Sequence, residues 1–348
     1  MAGAFIPPSF CIVPKEVTNL SQAIRIAKKI FYLLITIFFV LVFNFVLFRL
    51  LPGSISTKMA HTAHANATAL ANLDKYYGLN QPMVQQFLTY FTKLLHLDLG
   101  NTFASYGGGT DVWDVMASRI GPTVVLLGLA EIIAFILGTV FGVIAGWKRG
   151  KVIDKTLLTS SLTFYAMPTF WLSMMLILIF CTKANLLPSM GMYTTGFRKE
   201  IVGAAAYYKD VARHLILPLA CMSLGLAGEY TLTMRSTMMD VLTEDYMTTA
   251  RAKGFKEGYV LRKHALPNAM LPMVTLICMN LGFAIGGAIT LEQMFSWPGI
   301  GALTYTAIAN RDYTLLQGIF LLTTVSTIVA NFLADILYGF IDPRIKNS

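Results

Sequence analysis

Six stretches of this chain are apolar for long enough to cross a bilayer as helices, at residues 30–51, 123–147, 156–181, 215–234, 269–291 and 315–340. The hydrocarbon core of a membrane takes about 20 helical residues. Only 13% of the residues are charged, where a soluble domain carries about 25%. One water-facing core cannot hide this much apolar surface. The expected fold is all-α and integral to the membrane, with six transmembrane helices and an extracytoplasmic subdomain between the first two. The divisions are then a lead-in at 1–29, the first transmembrane helix at 30–51, an extracytoplasmic segment at 52–119 and a core domain at 120–345 with five helices.

The net charge of +9 fits either a nucleic-acid surface or a membrane protein with cations in its loops. With the N-terminus inside, sixteen Lys and Arg fall in the inner segments and six in the two short outer loops. Lys148, Arg149, Lys151 and Lys155 share one inner turn. The positive-inside rule therefore places both termini in the cytoplasm, and nucleic acid is not an expected partner. No small-residue cleavage site closely follows Phe48-Arg49-Leu50-Leu51-Pro52-Gly53, so the first stretch reads as an uncleaved anchor. Residues 20–29 are weakly amphipathic and read as a cytoplasmic or interfacial lead-in.

Between the first two spans, Met83, Phe87, Tyr90, Phe91, Leu94 and Leu95 recur at helical spacing, and Gly107-Gly108-Gly109 marks a loop tip. Cys11, Cys181, Cys221 and Cys278 lack metal-ligand spacing and read as free thiols, not disulfides. His61 and His64 read as solvated surface rather than as metal ligands. Asn66-Ala67-Thr68 matches the glycosylation pattern, a match frequent by chance.

The informative segment is 235–268. Glu244 to Lys253 favours a helix, with small residues at Thr249, Ala250 and Ala252. Gly254 can close that helix in the left-handed conformation. A second helical piece at 257–265 then leads into the fifth span. Small residues let a partner approach closely, and the basic residues around them orient it. A short helix, a glycine elbow and a return helix form a knob suited to a soluble motor.

This segment resembles the cytoplasmic "EAA" loop of ABC importer permeases. Gly254 falls in the family register with Leu266 and Pro267, and Ala250 matches the last Ala of the pattern. Thr248 stands where the pattern has Glu, and Thr249 where it has the first Ala. The form Asp245-Tyr246-x-x-Thr249-Ala250-Arg251-Ala252-Lys253-Gly254 resembles the dipeptide, oligopeptide and nickel branch. So do Leu79-Asn80-Gln81-Pro82, Leu97-Asp98-Leu99-Gly100-Asn101-Thr102, Ala166-Met167-Pro168-Thr169-Phe170-Trp171-Leu172, Glu292-Gln293-Met294-Phe295-Ser296-Trp297-Pro298-Gly299-Ile300-Gly301 and Asp342-Pro343-Arg344-Ile345, which resemble its B-type subunit. The likeness covers roughly 30–345. It implies the ABC importer permease fold, a prokaryotic inner-membrane location and import of di- or oligopeptides, with nickel or oligosaccharides as alternative cargo. It also implies a second permease subunit, two P-loop ATPase subunits and a solute-binding protein. Asp245, Tyr246, Thr249, Ala250, Arg251, Lys253, Gly254, Leu266 and Pro267 are the implied ATPase-coupling residues.

No G-x-x-x-x-G-K-[ST] phosphate loop occurs in the sequence. ATP and magnesium are expected on the partner subunits, with no cofactor, metal or catalytic residue in this chain. Glu131 and Glu229 lie within spans, where acids are often functional. They either face the substrate pathway and meet a peptide amino terminus, or sit near a helix end or pair with a neighbouring helix. Asp335 reads as structural. Asn280 shares a span with Gly282, Gly286 and Gly287, whose favoured role is close helix packing. Asn280 and Gly286 are kept as pathway candidates, as is Pro168, expected to kink the third span. His264, beside basic residues, is not expected to bind metal. An ion-coupled secondary transporter would show inverted repeats, and none is evident. An intramembrane enzyme would need a convergent catalytic cluster, and none appears in the spans.

Overall fold

The computed structural model describes residues 15–50, 81–102 and 109–341. Cys11, His61, His64, Asn66, Gly107, Gly108 and the Asp342-Pro343-Arg344-Ile345 end lie outside the described residues. The helices are α1 (Lys15–Leu50), α2 (Met83–Leu95), α3 (Val112–Trp147), α4 (Val152–Ala166), α5 (Thr169–Leu176), α6 (Lys199–Val202), α7 (Ala204–Leu242), α8 (Asp245–Ala252), α9 (Glu257–Val260), α10 (Leu266–Phe283), α11 (Ile289–Met294), α12 (Ile300–Ala309) and α13 (Tyr313–Ile341). π-helical turns at Ile177–Lys183 and Leu261–Ala265 continue α5 and join α9 to α10. A two-stranded antiparallel ribbon pairs Asn101 with Asp111 and Thr102 with Thr110. Among the described residues, five helical stretches are long and apolar enough to cross a membrane, and the bent pair α4–α5 makes a sixth if taken as one span.

The parallel pair α3 and α7 is the spine. Gly138, Gly142 and Gly146 of α3 form a stripe at four-residue spacing against Tyr230, Met234 and Met238 of α7. A Cβ on Gly142 would lie 2.5 Å from the Met234 Cβ, and one on Gly146 would lie 2.7 Å from the Met238 Cβ. Small residues are what allow two membrane helices this close, where lipid supplies no hydrophobic drive. On the other side of α7, a Cβ on Gly228 would lie 2.5 Å from the Tyr165 Cβ of α4. At its start, α3 is capped by Asp111, whose carboxylate accepts from Trp113 N at 2.7 Å. The helix therefore begins eleven residues before the apolar stretch that announced it, crossing the expected boundary at 119/120.

The third expected span is not one kinked rod. α4 and α5 meet at 103°. Pro168 lacks an N–H and drives the residue before it out of the helical region; Met167 sits extended at φ −72°, ψ 132°. Phe164, Met167, Leu172, Leu176 and Ile177, on either side of the break, pack in one cluster.

The fifth expected span also ends early. α10 stops at Phe283, a 3₁₀ turn occupies Ala284–Gly286, and Gly287 has φ +76°. Leu291 belongs to α11 instead. α11 and α12 form a hairpin seated on α3. Glu292 is fully buried and accepts from Thr123 Oγ1 at 3.0 Å and Ala302 N at 2.9 Å. Thr123 Oγ1 in turn accepts from Ile300 N at 2.7 Å, and Trp297 Nε1 donates to Pro122 O at 2.9 Å. Burial pushes the Glu292 carboxyl above the ordinary range, and the Ala302 N–H and Thr123 hydroxyl oppose that push.

Gly282, Gly286 and Gly287 divide. A Cβ on Gly282 would meet the Ala330 Cβ of α13 at 2.7 Å, and one on Gly287 would meet Gly301 N at 2.5 Å. Both are close-packing positions. Gly286 faces open space, so packing does not require its glycine.

Candidate coupling surface

One end of the bundle carries the turn 148–151 and the segment 243–257, with the cations Lys148, Arg149, Lys151, Arg251, Lys253 and Lys256. There α8 forms where the sequence predicts it. Glu244 starts it in an extended conformation, Lys253 ends it, and Gly254 follows at φ +78°. Lys253 N donates to Thr249 O at 3.1 Å, and Gly254 N to Arg251 O at 2.9 Å. A Cβ on Gly254 would meet nothing within 4 Å. What demands glycine there is the left-handed backbone, unfavourable to an L side chain by about 1–2 kcal/mol.

α8 is held by two residues. Met247 and Ala250 are buried at 0% and 4% exposure in a cluster with Met234, Met238 and Val241 of α7, Val260 of α9, and Ala269 and Met273 of α10. A side chain every three or four residues anchors one face of a helix and leaves the other free. Asp245, Tyr246, Thr248, Thr249, Arg251 and Lys253 are exposed, as is Gly254. The Arg251 guanidinium carbon sits 5.9 Å from the Trp147 ring centroid, and Arg251 Nε reaches Glu257 Oε1 at 3.2 Å. These exposed contacts set geometry more than stability.

The structure therefore gathers most of the proposed coupling residues on one exposed surface. Ala250 belongs to the buried attachment face instead. Leu266 is half-buried against the same cluster, and Pro267 is exposed in the first turn of α10, where its missing N–H is no loss. Beside α8, Phe255, Tyr259 and His264 form an aromatic group with ring centroids 4.9–6.1 Å apart. Among the described residues, no three His, Cys, Asp or Glu side chains converge as metal ligands would.

A clasp that sequence reading missed fixes the neighbouring turn. Asp154 of α4, 2% exposed, accepts from Arg235 Nε at 2.6 Å and Nη2 at 3.0 Å, and from Gly150 N at 2.9 Å. Gly150 lies at φ +79°. An acid alone among four cations was the available signal.

The pathway candidates divide. The Tyr230 hydroxyl donates to Glu131, and Asn280 Nδ2 donates to the Tyr230 hydroxyl at 3.3 Å. Glu131 and Asn280 thus meet through Tyr230 in a chain linking α3, α7 and α10. Glu131 is 5% exposed. Glu229 is half-buried beside this chain. Pro168 is exposed at the α4–α5 bend, and Gly286 sits at the break after α10; neither joins the network.

Comparisons with known proteins agree with this architecture. Residues 138–347 match the family model described as binding-protein-dependent transport system inner membrane component. The dipeptide transport system permease protein DppB of Escherichia coli is 38% identical over 319 residues, covering 87% of this chain and 93% of that protein. The di/tripeptide transport system permease protein DppB of Pseudomonas aeruginosa is 35% identical over 336 residues, covering 92% and 98%. The oligopeptide transport system permease protein AppB of Bacillus subtilis is 33% identical over 305 residues, covering 88% and 93%. A solved structure of the MetNI methionine ABC transporter, in an inward-facing conformation, shares the fold with a TM-score of 0.52 at 15% identity over 66% of this chain and 96% of that one. The chain thus belongs to the binding-protein-dependent inner-membrane components, the multi-pass permease subunits of ABC importers.

Proposed function

We propose that this permease imports di- and oligopeptides, and that the exposed face of α8 with Gly254 is where ATPase subunits drive it. The carrying observation is the arrangement of α8: Met247 and Ala250 bury it in a cluster with residues of α7, α9 and α10 while its other face stays open. The peptide cargo rests on three relatives, each at least 33% identical over most of the chain, that are named for dipeptide, di/tripeptide or oligopeptide transport. The sequence has no phosphate loop, so ATP and magnesium belong to two separate P-loop subunits. A second permease completes the pathway, and a solute-binding protein delivers cargo at the opposite end. The excess of Lys and Arg sets the α8 end in the cytoplasm.

The mechanism is alternating access. Closure of the ATPase pair displaces α8. The displacement passes through Met247 to Met234 and Met238 of α7, and the α3–α7 pair carries it across the membrane. This chain supplies pathway and coupling, not bond chemistry. The test is Gly254→Val in the reconstituted complex with a labelled dipeptide. Uptake falls about tenfold or more, as the left-handed penalty implies, while ATP hydrolysis persists. Normal uptake by a correctly assembled Gly254→Val complex would remove α8 as the coupler.

A further inference from the structure

The turn between α3 and α4, with the first turn of α4, carries four exposed cations: Lys148, Arg149, Lys151 and Lys155. None forms an ion pair among the described residues. The one acid in the turn, Asp154, is withdrawn from the surface: it is 2% exposed and accepts from Arg235 and Gly150. Arg235 and Asp154 neutralise each other, so the turn presents positive charge alone. Two apolar side chains are exposed among these cations, Val152 at 80% and Ile153 at 38%. The turn also lies where a membrane-spanning helix ends and the next begins.

We infer that this turn is a docking site for anionic phospholipid headgroups. Lys and Arg beside membrane helices gather acidic lipids through headgroup phosphates. Their stems lie along apolar surface while the charged ends reach outward. Val152 and Ile153 fit the apolar side of that boundary and would be poorly placed against bulk water. An acidic protein surface is matched by the four cations but gives no comparable reason for these two side chains. The clasp adds a second element. It holds Gly150 in a left-handed turn, so the cations are displayed on a fixed loop. The site is independent of the peptide cargo and of coupling through α8.

The experiment uses the complete transporter in nanodiscs of equal phosphatidylglycerol and phosphatidylcholine, with retained lipid identified by native mass spectrometry. The wild type retains phosphatidylglycerol preferentially, and added salt weakens the preference, as headgroup electrostatics require. The quadruple variant K148Q/R149Q/K151Q/K155Q loses it, and the single variants each lower it by about fivefold. The charge-preserving K148R/K151R/K155R variant keeps it, as does K199Q/K209Q, which removes cations from the opposite end. If the quadruple variant does not assemble, the single variants decide. Phosphatidylglycerol retention unchanged in the charge-removing variants overturns the inference. So does loss of the ATPase subunits with lipid retention intact, which would make the turn a protein contact.

Discussion

The α3–α7 pair and the α4–α5 pair are both built from adjacent membrane helices, yet one is continuous and the other is folded back by 103°. In the first, three glycines let the backbones close and both helices run unbroken for 36 and 39 residues. Pro122 and Pro218 lie inside these helices without stopping them. In the second, Pro168 ends α4 and starts α5 at a new angle. A proline alone therefore does not decide between a rod and a bend; the packing around it does. Non-helical backbone is tolerated at membrane depth only where protein covers it. Here Met167 and Leu172, on either side of the break, pack in a cluster with Leu217, Phe295 and Trp297, while Pro168 itself stays exposed.

The comparison can be broken hardest at the clasp that joins the two pairs. Asp154→Ala leaves the part-buried Arg235 guanidinium without its bidentate partner, and each hydrogen bond to a charged group is worth about 1.5–3 kcal/mol. We expect a clear drop in the thermal midpoint of the detergent-solubilised protein, with Asp154→Asn losing less. An unchanged midpoint would mean that the two pairs hold together without the clasp.

The next effect separates two glycines on one helix. Gly142→Ala puts a Cβ 2.5 Å from Met234 and 2.8 Å from Thr231 O, and overpacking of this kind costs about 1–3 kcal/mol. Gly128 has nothing within 4 Å, so Gly128→Ala gains about 0.5–1 kcal/mol from restricting the unfolded chain. Opposite shifts of the two midpoints are expected. Shifts of the same sign would show that the stripe is not the seam.

The smallest effect probes the polar chain within the seam. Tyr230→Phe removes one hydrogen bond to Glu131 and one from Asn280, each about 0.6 kcal/mol inside a membrane protein. A double-mutant cycle with Glu131→Gln measures the coupling. No coupling would leave Glu131 available for the pathway role first considered for it.

The spans were legible because each is a long apolar run, and a run announces itself locally. α8 was legible for the same reason: the small residues, Gly254 and the cations stand together within a few positions. The hairpin of α11 and α12 was not. Its helices have 6 and 10 residues, too few to read as spans. The burial of Glu292 depends on Thr123, 169 positions earlier, and on the Ala302 N–H, ten positions later. The bend at Pro168 was half legible: proline marks a break, but its angle follows from what packs around it. The Asp154–Arg235 clasp joins residues 81 positions apart, a separation no local pattern reports.

The glycine stripe has a consequence for how the spine keeps its place. Gly138, Gly142 and Gly146 repeat every four residues, and so do Tyr230, Met234 and Met238. Sliding α7 along α3 by four residues, about 6 Å, sets two of the three large side chains back over glycines. Methionine is flexible enough to settle into either seat. Shape alone therefore distinguishes the two alignments weakly. What distinguishes them is the hydroxyl of Tyr230, which finds Glu131 and Asn280 only in the present one. The polar chain acts as the index mark on a ruled scale, fixing which of several equivalent notches the helices occupy.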